Sequence, residues 1–137
     1  MREIIFRGKR TINGDWVYGD FMHGNERKSL RDSIFVYDSE TQSFNDYEIN
    51  PSTLGQYTGL TDKNGKRIFE GDIVQYYGTY PLEVYIEEGH TKIRWYDTIS
   101  ASKYDELFFT IDREGYGECE IIGNIHDNPE LLKGGAV

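Results

Sequence analysis

The chain has one cysteine, three prolines and three histidines among its 137 residues. A lone thiol excludes an intramolecular disulfide and any multi-cysteine zinc site. Cys119 stands between Glu118 and Glu120, whose charges disfavour a thiolate, so it is expected to be structural and not nucleophilic. Long apolar runs are missing too. No stretch approaches the ~20 residues that span a bilayer, and Ile4-Ile5-Phe6 is too short for a signal peptide's apolar region. With neither an export signal nor a disulfide pair, the expected compartment is the cytoplasm.

Catalytic motifs are equally scarce. His23, His90 and His126 share no metal-ligand spacing and each falls in a loop or turn, where a solvated imidazole is the expectation. There is no Gly-x-x-x-x-Gly-Lys-Ser/Thr loop, no Gly-x-Gly-x-x-Gly and no Gly-x-Ser-x-Gly elbow. Asp62-Lys63-Asn64-Gly65 invites comparison with a calcium loop. Placing its glycine at the sixth position puts Leu60 and Gly71 where carboxylates are needed, so it reads as a tight turn. Paired carboxylates are inevitable with 24 acids in a chain this short, and they carry no argument for acid–base catalysis. No enzyme activity, cofactor or metal is expected.

Net positive charge is confined to the start. Residues 1–31 hold seven Lys/Arg against four Asp/Glu; residues 32–137 hold eight against twenty. The larger part should repel phosphate backbones, and its acidic surface favours solubility.

What is present is β-forming. Hydrophobic residues make up only 37%, yet aromatics reach 15% with eleven Tyr, and such rings bury large areas where Leu is scarce. Short runs of branched and aromatic residues are punctuated by Gly, Asn and Asp. Asp15 to Phe21 reads as a strand after an Asn13-Gly14 turn. Ser33 to Tyr37 and Phe44 to Ile49 flank a polar linker as a hairpin, and His23 to Asp32 reads as a mobile surface loop. Asn64-Gly65 predicts a hairpin with a type I′ turn, which needs positive φ at both central residues. Leu82 to Glu87 and Lys92 to Tyr96 alternate with period two around a turn at Glu88 to His90. Strands are also predicted at Ile73 to Tyr77, Leu107 to Ile111 and Glu120 to Asn124, with a turn at Arg113 to Gly117. Thr98 to Glu106 reads as loop or one helical turn. Asn128-Pro129-Glu130 supplies a cap, a first-turn proline and a first-turn acid, predicting a short C-terminal helix.

Pro51 lacks a ladder donor and restricts Asn50 before it. A division into an N-terminal β lobe, 1–50, and a C-terminal β lobe, 51–137, is therefore placed there; the two can also pack as one unit. One cluster suggests a binding surface: Tyr76, Tyr77, Tyr85 and Trp95 with Lys92 and Arg94, alongside Arg7, Lys9 and Arg10 of the basic start. Rings beside cations can stack bases. The plainer reading has the rings filling the core and covering sheet faces.

Two stretches resemble a known family. Thr53-Leu54-Gly55-Gln56-Tyr57-Thr58-Gly59-Leu60 running through Asp62-Lys63-Asn64-Gly65-Lys66-Arg67-Ile68-Phe69-Glu70-Gly71-Asp72-Ile73-Val74 looks like the hallmark of the YopX family of small phage and prophage proteins. Glu120-Ile121-Ile122-Gly123-Asn124-Ile125-His126-Asp127-Asn128-Pro129-Glu130-Leu131-Leu132 is similar to that family's closing motif, and Trp16-Val17-Tyr18-Gly19 fits its opening. The resemblance implies a mainly-β architecture that includes an SH3-like small barrel, and it supplies no catalytic residues. The expected function is a phage or prophage protein that acts without catalysis, by protein interaction or self-assembly. Two other readings stand beside it: a nucleic-acid-binding module using the basic start and the aromatic cluster, and an acidic decoy for a host DNA-binding protein.

Overall fold

The computed structural model describes residues 3–76, 80–97, 102–107 and 119–132, with backbone alone for 26, 95–97 and 102–107. Two units are resolved, Met1–Tyr57 and Thr58–Val137. Both are antiparallel β; the described helical structure is two short 3-10 turns, Glu26–Lys28 and Pro129–Leu132.

In the first unit β1 (Phe6–Arg10), β2 (Trp16–Met22), β3 (Ser33–Asp38) and the first part of β4 (Ser43–Thr61) pair in sequence order, and β4 returns to pair with β1. Ile34, Ile49 and Tyr57 are its buried hydrophobics, each contributing on the order of 1.5–3 kcal/mol by leaving water. β4 is 19 residues long and passes straight through Pro51. The proline does interrupt pairing, but it does not end the strand. Lys9 pairs with Asn50 and Arg7 with Gly55, so residues 51–54 bulge opposite the single residue Gly8. The Thr53 hydroxyl holds the bulge, accepting the Lys9 N–H at 2.9 Å and donating to the Asn50 carbonyl at 2.6 Å. A side chain thus supplies the acceptor for the Lys9 N–H where the bulge interrupts the ladder.

Residues 23–32 are more ordered than their polarity suggests. Asn25 and Leu30 exchange backbone hydrogen bonds at 2.9 and 3.0 Å around the 3-10 turn. Asp32 ties down the start of the loop, accepting the Gly24 N–H and lying 3.1 Å from Nδ1 of His23.

In the second unit the tail of β4 pairs with β5 (Arg67–Phe69). A five-stranded sheet has the order β10 (Glu120–Asn124), β6 (Asp72–Gln75), β7 (Leu82–Glu87), β8 (His90–Asp97), β9 (Ser102–Leu107). Among the described residues β9 and β10 remain unjoined edges, so the pairings define two antiparallel sheets and no closed barrel. Ile68, Val74, Tyr76, Leu82, Val84, Ile93 and Cys119 form the core, with Leu60 and Ile121 packed against it. The alternation of β7 is read directly in this packing, with Leu82 and Val84 inward and Glu83 and Tyr85 only half-buried.

Several local expectations are refined. The Asn64-Gly65 hairpin exists, but positive φ falls on Gly65 (+81°) and not on Asn64. Asp62 causes this: its Oδ1 accepts the N–H groups of Asn64 and Lys66, both at 2.9 Å, closing the turn from one side. The type I′ geometry appears instead at Glu88-Gly89 (φ +51° and +79°), between the paired residues Glu87 and His90. Strand β9 occupies residues read as loop or helical turn; its Lys103, Asp105 and Glu106 conceal an edge strand that is defined by pairing with β8. The strand predicted at 107–111 is described only at Leu107, and the turn at 113–117 lies outside the described residues. The C-terminal helix is the four-residue 3-10 turn. The Asn128 side chain turns back from it to accept the Asn124 N–H at 3.3 Å.

Candidate functional site

The predicted surface residues separate between the units. In the first, Arg7 and Lys9 share a face of β1, and their register partners Tyr18 and Trp16 share the matching face of β2. Trp16 collects both cations, with the Arg7 guanidinium carbon 4.6 Å and the Lys9 ammonium 5.5 Å from the ring centroid. Arg7 is 5% exposed, so it serves this stack and not an outside ligand. Arg10 points the other way and lies 4.6 Å over Tyr47.

In the second unit, Tyr85, Lys92 and Arg94 do converge. Tyr85 and Lys92 are register partners, and the Arg94 guanidinium lies 3.8 Å above the Tyr85 ring. A 3.0 Å hydrogen bond to Glu87 raises Lys92 above the usual ammonium value. Tyr76 is not part of this face. It is 1% exposed and belongs to the core, as the shortage of Leu requires. Tyr77 and the Trp95 side chain lie outside the described residues. Of the predicted set only Arg94 and Tyr85 stack on each other; Arg7, Lys9, Arg10 and Lys92 are engaged by Trp16, Tyr47 and Glu87, which lie outside it.

A groove of about 730 Å³ opens in the first unit. Lys9, Arg10, Arg31 and His23 contribute to its lining, opposed by Asp32 and Glu48. The 51–54 bulge brings Pro51 and Thr53 into the same wall. Asp32 is already committed to Gly24 and His23, which leaves three permanent cations facing one uncommitted carboxylate.

Sequence reasoning missed the most exposed aromatic pair among the described residues. Beyond the first unit's core, β3 and β4 continue as a two-stranded arm closed by the loop 39–42. Tyr37 and Phe44 are register partners near its end, 55% and 58% exposed. Their ring centroids are 5.3 Å apart at an interplanar angle of 61°, an edge-to-face pair. Residues 43–46 are exposed whichever face they project from. The hairpin itself was legible, and its four-residue loop fixes Tyr37 opposite Phe44. What was missing is that no other element covers their face among the described residues.

The residues that carry the family resemblance lie in turns and core instead. Thr58 donates to the Ile68 carbonyl at 2.7 Å, Asp72 accepts the Phe69 N–H at 2.7 Å, and Ile68, Phe69, Ile73 and Val74 are buried. In the closing motif, Asn124 Oδ1 accepts the N–H groups of His126 and Asp127 at 3.0 and 2.9 Å.

No curated protein matches the chain. Among solved structures, protein EF1440 from Enterococcus faecalis is similar in fold, with a TM-score of 0.54, 23% identity, and coverage of 97% of this chain and 100% of that one. The YopX protein family model matches residues 5–133, taking in both motif stretches and the strands between them. With its turn, core and closing motifs all inside that match, the chain belongs to the YopX family.

Proposed function

We propose that the chain is a phage- or prophage-encoded interaction module that works without catalysis in the bacterial cytoplasm, by binding a protein partner or assembling with itself. The observation that carries this reading is the exposed Tyr37–Phe44 pair on an arm solvated on both faces. Aromatic residues are enriched at protein interfaces because one ring buries a large area at little cost in side-chain entropy. The family resemblance supports the phage setting and brings no catalytic residue with it. Cys119, the single thiol, is packed in the core at 4% exposure, in keeping with a structural part.

Light scattering over a concentration series, with photo-cross-linking in bacterial lysate from position 39, exposed in the loop that closes the arm, tests the reading. The expected result is a defined partner or a second copy cross-linked through the arm, lost in Tyr37→Ser/Phe44→Ser. A strictly monomeric chain that cross-links to nothing overturns it.

The groove favours a second reading, a nucleic-acid ligand held by Lys9, Arg10 and Arg31. Such binding would weaken steeply with salt. Retained binding in Lys9→Gln/Arg31→Gln, or no binding at low salt, removes that reading.

A further inference from the structure

Resting on the interaction reading above, we infer that the arm docks a Lys/Arg-rich segment of a protein partner, whose cations lie against the Tyr37 and Phe44 rings and the carboxylates beside them. Three observations converge on that chemistry.

The first is the composition of one arm face. Side chains of paired residues project to the same side of a sheet and alternate along each strand. The face that holds Tyr37 and Phe44 therefore also holds Phe35 paired with Asp46, and Ser33 paired with Glu48. Rings occupy the β3 side and the tip, and carboxylates follow along β4. Phe44, Asp46 and Glu48 are all exposed.

The second is charge along the chain. From Asp32 to Asp62 there is no Lys or Arg, while Asp32, Asp38, Glu40, Asp46, Glu48 and Asp62 are acidic. The arm lies wholly inside this stretch. A cationic segment approaching it meets attraction from the loop and from β4, with no like charge on the arm itself.

The third is how this protein treats its other rings. Trp16 carries Arg7 and Lys9, Tyr85 carries Arg94, and Tyr47, near the base of the arm, carries Arg10. Among the described residues no cation lies over Tyr37 or Phe44. A ring face attracts a cation through its quadrupole, and neighbouring carboxylates strengthen the attraction. A partner's Arg or Lys would supply at the tip what Arg10 supplies at the base.

The test uses the full chain and a synthetic twelve-residue peptide alternating Arg with Leu, set against an acidic peptide of the same spacing. Binding is followed by fluorescence anisotropy at low and moderate salt. The basic peptide is expected to bind and the acidic one not. Tyr37→Ser/Phe44→Ser and, separately, Glu40→Gln/Asp46→Asn are each expected to weaken binding about tenfold, the loss of one or two such contacts. Glu88→Gln/Glu130→Gln, an equal charge change at exposed positions in the second unit, is expected to leave it within about twofold. Circular dichroism confirms that each variant is folded.

Equal weakening by the control pair, or no binding of the basic peptide, overturns the inference. If cross-linking through position 39 persists while the basic peptide fails to bind, the interaction reading stands and the cationic partner falls. If neither is seen, both fall.

Discussion

The Asp62 carboxylate accepts the backbone N–H of Ile121 at 3.1 Å through Oδ2, joining residues 59 positions apart. Its other oxygen closes the 62–66 hairpin, and the neighbouring Lys63 N–H reaches the Cys119 carbonyl at 2.8 Å. One buried side chain therefore fastens β10 to the turn after β4.

Burial by itself would raise the Asp62 carboxyl. The N–H donors of Ile121, Lys66 and Asn64, with the Lys66 charge, outweigh burial and hold it below the ordinary carboxylate value. A group with a depressed folded pKa contributes its stability above the unfolded pKa and loses it as pH falls through the folded one. Asp62→Asn is expected to cost about 1–3 kcal/mol at neutral pH. The gap from wild type should narrow as pH drops below about 4. Urea titrations at neutral and acidic pH measure both effects.

Gly8 sits where β1 crosses the buried Ile49. A Cβ there would lie 2.6 Å from Ile49 Cδ1, 3.1 Å from its Cβ and 3.2 Å from its Cγ2. The terminal methyl can swing aside, but the atoms nearer the backbone cannot. Gly8→Ala is expected to destabilise by about 1–3 kcal/mol, the usual cost of overpacking. Combining it with Ile49→Ala should cost less than the two single changes added together, since both alter one contact. Thermal and urea denaturation of the four proteins give the comparison.

Thr53 supports the bulge around Pro51. Thr53→Val keeps the shape and withdraws both the acceptor for the Lys9 N–H and the donor to the Asn50 carbonyl, a loss of about 1–3 kcal/mol. Thr53→Ser keeps the hydroxyl and should recover most of that. Equal midpoints for the Val and Ser variants would remove the hydroxyl from the account.

Tyr37 and Phe44 contribute little to folding for their size because both remain wet. A double-mutant cycle through Tyr37→Ala and Phe44→Ala is expected to give a coupling of about 0.2–1 kcal/mol, the range for cross-strand pairs. Coupling well above that would mean the arm is a stability element.

Much of the strand order was legible because β7 and β8 alternate cleanly and Gly-containing turns stand between most strands. β9 was not legible, since a polar edge strand is defined by its partner and its own residues carry no apolar period. The turn type at Asn64-Gly65 was missed because the deciding group is a side chain two residues before the Asn, accepting N–H groups on both sides of the turn. Pro51 was read correctly as a gap in pairing and incorrectly as the end of a strand. The Thr53 hydroxyl that bridges the gap leaves no signature in composition. For the candidate site, sequence proximity grouped Tyr76 with Tyr85, whereas alternation and burial send one into the core and leave the other on the sheet face. Exposure of Tyr37 and Phe44 depends on which elements fail to cover them, and that is a property of the assembled fold.

An arm of two strands with solvent on both sides has little to hold it shut beyond its own ladder. Its amide protons should trade with water through small local openings, while those around Ile34 and Ile49 wait for larger ones. Whatever grips the arm would register first as slowed exchange at residues 36–46. A limb that frays and re-forms by itself can be clasped and released repeatedly without disturbing the body that carries it.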